Sequence, residues 1–184
     1  MLRLRDPIHG FVHADALEAA LVASRPVQRL RWIHQLGLTF FVYPGAAHSR
    51  FSHVLGVMGL AGRVFDSLML KRPEILPAGE RALARRLVRA AALLHDIGHA
   101  PFSHSAEDQF EGGIDHEQMT RLLLAGDEIR ACFERHGDGL TVDAVVALLA
   151  GQVAPGRRFL AQLVSGELDV DKIRAWKEQV IAKL

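Results

Sequence analysis

Ten histidines stand in a chain of 184 residues, and four of them, His95, His99, His104 and His116, fall in the stretch HDIGHAPFSH followed by DHEQ. His53 lies on an earlier segment of helical character. An adjacent His95 and Asp96 at a helix end can both face one cation if the backbone turns there, and His53 can reach it from a packed neighbouring helix. The DVDK segment offers a fourth donor, Asp169 or Asp171. Two imidazoles and two carboxylates suit a single borderline divalent ion such as Mn, Fe, Ni, Co or Zn, with Mg also possible, leaving positions for water or phosphate.

A lone His-Asp pair ordinarily just closes a helix end by hydrogen bonding. Here Leu93 and Leu94 precede it, which puts both residues at the edge of a core. An unpaired carboxylate is costly there, and a cation satisfies it.

The elements that must hold these residues read as helices. Apolar and polar residues alternate at helical spacing over 14–23, and Ser24 with Pro26 opens a second helix running to about Leu36. Gly37 stands where a left-handed cap is expected, and TFFVYPGA reads as a short extended connection or loop. Phe51, Val54, Leu55, Met58, Ala61, Phe65, Leu68 and Met69 form a buried stripe on a helix over 48–71.

From Glu80 the segment is again helical, with Leu83, Leu87, Ala91 and Leu94 on one side and Arg81, Arg85, Arg86 and Arg89 as a solvated basic face on the other. Gly98 and Pro101 end it. Further helices are expected over 103–110, 115–125, 127–136 and 141–150, through Phe159 to Leu163, and, after a break near Ser165 and Gly166, along a face of Ile173, Trp176, Val180 and Leu184. Strand signals are nearly absent. The fold class is therefore all-α, a compact helical assembly in a single domain over 1–184.

Composition sets bounds on function. With 22 basic and 21 acidic residues the formal net charge is +1, so nucleic acid is not indicated as a partner. No apolar run approaches the length that spans a bilayer, so no membrane partner is expected. The single Cys132 and an N-terminus without a long apolar stretch point to a cytoplasmic protein.

Ordered matches extend this reading. DPIHGFV (6–12), VQRLRWIHQLG (27–37), YPGAAHSRFSHVLGV (43–57), LLHDIGHAPFSH (93–104), DHEQMT (115–120) and SGELDVDK (165–172) resemble the HD-domain phosphohydrolases, and within them the deoxynucleoside triphosphate triphosphohydrolase branch. The resemblance implies an HD fold with His53, His95, Asp96 and Asp171 as metal ligands, and it alone selects Asp171 over Asp169. It also implies His99, His104 and His116 as active-site histidines. Glu107, one helical turn after His104, can orient that imidazole. Gln35, Arg50 and Lys172 match nucleotide-holding positions, with Arg50 and Lys172 near phosphate and Gln35 near the sugar.

The activity so implied converts a dNTP to deoxynucleoside and triphosphate. The alternatives are a nucleoside monophosphate phosphomonoesterase and a non-catalytic nucleotide-binding domain. Metal and Arg50 can share the neutralisation of phosphate charge, and His104 or His116 can supply the leaving-group proton. His9, His13, His34, His48 and His136 are expected simply to be hydrogen-bonded or solvated.

One departure bears on specificity. In the family an Asp-Tyr pair follows the DVDK basic residue, whereas Ile173, Arg174 and Ala175 follow Lys172 here. The sugar-facing tyrosine is absent, and the segment after Lys172 is expected to be an atypical short C-terminal helix. Apolar residues of helix 48–71 and of that last helix leave room for a homo-oligomeric interface.

Overall fold

A computed structural model describes residues 2–101, 114–166 and 169–182. The chain opens on a hairpin, β1 (Leu2–Asp6) and β2 (Gly10–Ala14), paired antiparallel from Leu2↔Ala14 to Asp6↔Gly10. The sequence pattern showed an extended opening but not this pairing. The turn supplies the missing information: Asp6 Oδ1 accepts from the Ile8 and His9 amides at 3.0 and 2.6 Å, and Gly10 takes a positive φ of 77°.

Nine α-helices follow among the described residues, confirming the all-α class. They are α1 (Ala16–Ala23), α2 (Arg25–Arg29), α3 (Arg50–Lys71), α4 (Ala78–Leu94), α5 (His116–Leu124), α6 (Asp127–His136), α7 (Val142–Leu149), α8 (Arg158–Ser165) and α9 (Val170–Ala182). Asp15 and Asp115 each form a capping box, with Glu18 at the start of α1 and Gln118 at the start of α5. The helix expected over 103–110 lies outside the described residues.

Three expectations need correction. The second helix ends at Arg29 and passes through a 3-10 turn (Leu30–Trp32) rather than reaching Leu36. Ile33 is extended because residues 33–35 pair with 48–50: the Arg50 amide donates to Ile33 O at 2.8 Å and the Gln35 amide to His48 O at 3.0 Å. Local helix propensity loses there to a tertiary pairing that ties the chain to the start of α3.

On α4 the buried face is Ala84, Val88, Ala91 and Leu94, while Leu83 is 43% exposed. The arginine side is not a solvated face. Arg89 is buried and pairs with buried Glu18 at 2.5 and 2.8 Å. Arg86 bonds Asp15 and the carbonyls of His136 and Gly137, and Arg81 bonds the carbonyls of Leu76 and Pro73. These guanidiniums stitch α4 to α1, to the end of α6 and to the connection before it.

The face expected on the last helix is also displaced. Trp176 is 65% exposed, whereas Arg174 and Glu178 are buried, Arg174 completely. Leu184 lies outside the described residues.

The stripe on α3 holds, with Phe51, Val54, Leu55, Met58, Ala61, Phe65 and Met69 buried and Leu68 partly so. This helix is long and apolar enough to cross a membrane by composition, yet most of its residues are buried inside the fold. The α3–α4 pair carries the core, and the site forms where the end of α4 and the start of α9 meet α3.

Candidate metal centre

Helix α4 stops at Leu94, and a turn over His95–Gly98 redirects the backbone so that His95 and Asp96 face the same space. The turn is pinned from two sides. Arg29 Nη2 donates to Ile97 O at 2.5 Å, and the Gly98 amide donates to Thr120 Oγ1 at 3.0 Å. A Cβ at Gly98 would sit 2.1 Å from His116 O and 2.5 Å from the Thr120 amide, so only glycine lets the turn lie against the start of α5.

His53, on the second turn of α3, is completely buried. Its Nδ1 faces Glu178 Oε2 at 2.9 Å and its Nε2 faces Asp171 Oδ1 at 2.7 Å. His95 Nδ1 faces Ala92 O at 2.9 Å. Its buried Nε2 has no hydrogen-bond partner and lies 3.5 Å from Asp171 Oδ1. With acceptors on both Nδ1 atoms, both Nε2 atoms are directed at one place, where a cation would replace their protons. Donor atoms of His53, His95 and Asp171 all lie within 4.8 Å of one another.

Asp96 stands at the edge of this triad. Its Oδ1 is 3.4 Å from His95 Nε2 and 3.3 Å from His99 Nε2, while Oδ2 accepts from Arg50 Nη1 at 2.5 Å. The DVDK aspartates divide clearly. Asp171 joins the triad, whereas buried Asp169 caps α9 through the Lys172 amide at 2.7 Å and holds Lys172 Nζ at 2.9 Å.

The electrostatics favour positive charge. Burial works against protonation of His95, but Asp96 and Asp171 overcome it and raise its pKa to about 9. His53 is likewise raised against its burial, by Asp171 and Glu178. Asp171, although desolvated, is held well below the usual carboxylate range by His53 and His95, as Asp96 is by His95, His99 and Arg50. A field that stabilises protons on two imidazoles also stabilises a cation between them. That field, the orphaned His95 nitrogen and the nitrogen-oxygen donor set fit a borderline divalent metal.

His99 and His116 stack with ring centroids 4.2 Å apart and planes 13° from parallel. Burial of His99 lowers its pKa against the opposing pull of Asp96. Gln35 stands beside the start of α3 through its backbone pairing, with its side-chain oxygen buried and without a hydrogen-bond partner. His104 and Glu107 lie outside the described residues.

His95, Asp96, His99, His116, Glu117, Arg121 and Asp171 line a cleft of about 320 Å³ whose far wall includes Leu124, Val146 and Leu149. A larger cleft of about 550 Å³ lies beside the hairpin. Of its four arginines, Arg85, Arg86 and Arg89 are committed to Asp66, Asp15 and Glu18, and it contains none of the converging donors.

Sequence reasoning did not find Arg174, Glu178 or the place of His48, whose Nε2 lies 3.3 Å from Glu178 Oε2. The four-residue spacing of Arg174 and Glu178 was visible, but such pairs are ordinarily solvent-exposed.

Residues 50–150 match the HD domain family. Over 171 residues the chain is 39% identical to an uncharacterized protein, YwfO, from Bacillus subtilis, covering 92% of this chain and 37% of that one. It is 35% identical over 182 residues to the deoxynucleoside triphosphate triphosphohydrolase SAMHD1 homolog of Dictyostelium discoideum, covering 92% of this chain and 34% of the relative. The chain thus spans about a third of the length of these relatives. The crystal structure of a phosphohydrolase from Bacteroides thetaiotaomicron superposes with a TM-score of 0.81 at 31% identity, over 99% of this chain and 42% of that one. By the family match, these relatives and the His-Asp turn between α4 and α5, the chain belongs to the HD domain family.

Proposed function

We propose that this domain is a metal-dependent nucleotide phosphohydrolase that acts as a dNTP triphosphohydrolase. The observation that carries the reading is the convergence of His53, His95 and Asp171 beside Asp96, in a cleft that also holds His99 and His116. The relatedness to a triphosphohydrolase homolog supports the substrate class.

In this reading His53, His95, Asp96 and Asp171 hold one divalent ion. When bound, it supplies a Lewis acid for phosphate oxygens and makes water a competent nucleophile at neutral pH. Water oxygen adds at the α-phosphorus, the bond to the 5′ oxygen breaks, and that oxygen takes a proton, leaving deoxynucleoside and triphosphate. His116 in the cleft and His104 are the groups assigned to deliver that proton, with Glu107 orienting His104.

Arg50 orients Asp96 through its Nη1 contact and contributes positive charge for the phosphates. Lys172, anchored on Asp169 at the start of α9, is assigned to phosphate, and Gln35 to the sugar. Homo-oligomerisation belongs to the same reading, supported by the exposed Leu70 of α3 and Trp176 of α9.

The test is elemental analysis of the purified protein, followed by incubation of the same sample with Mn and a dNTP mixture and identification of the phosphate product. Triphosphate is the expected product. Orthophosphate from nucleoside monophosphates would make the domain a phosphomonoesterase, a reading that the absence of the sugar-facing tyrosine favours. Bound metal without either product would make it a nucleotide-binding domain, and absence of metal would overturn the site.

A further inference from the structure

We propose that Glu178, clamped by Arg174 and Asp6, is a positioning residue that presents His53 to the metal through Nε2. The inference rests on the metal reading above and concerns residues that take no part in holding the ion.

His53 offers two ring nitrogens, and a metal needs one of them free of its proton. Glu178 Oε2 stands 2.9 Å from Nδ1 and holds a proton there, so that Nε2, which faces Asp171 Oδ1 at 2.7 Å, is the nitrogen whose proton gives way to a cation. A carboxylate acceptor also makes the imidazole a stronger donor to a cation.

Glu178 is itself fixed. Its second oxygen accepts from Arg174 Nε at 2.6 Å, Arg174 Nη1 donates to Asp6 Oδ1 at 2.7 Å, and that oxygen also caps the hairpin turn. Arg174, Glu178, Asp6 and His53 are all buried. A relay of this kind runs unbroken from the N-terminal hairpin to the metal site.

Helix α3 is built to admit it. A Cβ at Gly56 would lie 2.3 Å from Arg174 Cζ and 2.4 Å from Nη1, so the guanidinium packs where a side chain would otherwise stand. If the network served only to dock α9, its terminal carboxylate could meet any buried donor. Instead its terminal carboxylate meets the one ring nitrogen of His53 that faces away from Asp171.

The experiment compares wild type with Glu178→Gln, which keeps shape and loses charge. Metal affinity is measured by chelator competition with Mn alone, and fold is monitored by circular dichroism. An affinity about 10- to 100-fold weaker with an unchanged spectrum is expected. An unchanged affinity overturns the proposal while leaving the metal site standing, whereas a wild type that takes up no metal overturns both.

Should the variant fail to fold, the tautomer of His53 in the wild type decides. Histidine ¹⁵N chemical shifts of the Zn-loaded wild type should show the His53 proton on Nδ1 and the metal on Nε2. A proton resident on Nε2 overturns the assignment.

Discussion

Asp171 Oδ1 lies 2.7 Å from His53 Nε2, although 118 residues separate them. Two residues before Asp171, Asp169 is buried and turned toward the Lys172 amide at the start of α9. The pair therefore has divided duties, and substitutions separate them. Asp171→Ala should reduce bound metal from about one ion per chain to near none under dialysis, because it removes a converging charged donor. Asp169→Ala should retain the metal and lose about 0.5–2 kcal/mol as a lost helix cap. Elemental analysis and urea unfolding of both proteins check this; metal loss of equal extent in the two would refute the division.

Arg89 and Glu18 form a buried, doubly bonded pair that ties α4 to α1. Removing one partner strands a charge in the core, so Glu18→Leu should cost about 3–5 kcal/mol. Replacing both, with Arg89→Met added, should recover a large part of that loss. A urea-unfolding double-mutant cycle measures the coupling.

Gly98 lets the His-Asp turn lie against α5, where a methyl group would meet backbone atoms rather than a yielding side-chain end. Gly98→Ala should destabilise by about 1–3 kcal/mol or more and separate His116 from His99. Thermal unfolding gives the first effect. Loss of the mutual ring-current shifts of the two histidines in NMR gives the second, and retention of both properties would show that the turn can yield.

His9 makes a pH prediction. Burial first, then Arg63, Arg174 and Lys177, push its pKa down to about 4 against an opposing influence of Asp6. The unfolded chain takes up this proton near pH 6.5, while the folded chain resists it until about pH 4. Stability from this group is therefore fully present above about pH 6.5 and falls as pH drops toward 4. Urea midpoints between pH 4 and 7 should slope less steeply in His9→Gln than in wild type, and equal slopes would contradict the assignment.

The chemistry-bearing residues were legible because their types and local spacing carry the signal. HDIGH after two leucines marks a helix end at a core edge, and the α3 stripe of Phe51, Val54, Met58 and Phe65 marks the buried face of the helix that bears His53. The helix end at Arg29 and the course of the turn after Leu94 were less legible. A tertiary pairing of 33–35 with 48–50 set the first, and contacts from Arg29 and Thr120 fixed the second.

The sequence by itself determined the helical class, the long amphipathic α3 and the set of imidazoles and carboxylates available for a metal, since helical periodicity and residue chemistry are local properties. Only the tertiary structure decided which charged residues turn inward. Arg89 reads as a surface residue along the chain, Arg174 and Glu178 lie off the apolar face expected for the last helix, and each is buried because its partner arrives from a distant segment: Glu18 is 71 residues from Arg89, Asp6 is 168 from Arg174, and His53 is 125 from Glu178. A charge can leave water only where an opposite charge or a strong hydrogen-bond partner already waits, and that condition is met by packing rather than by spacing.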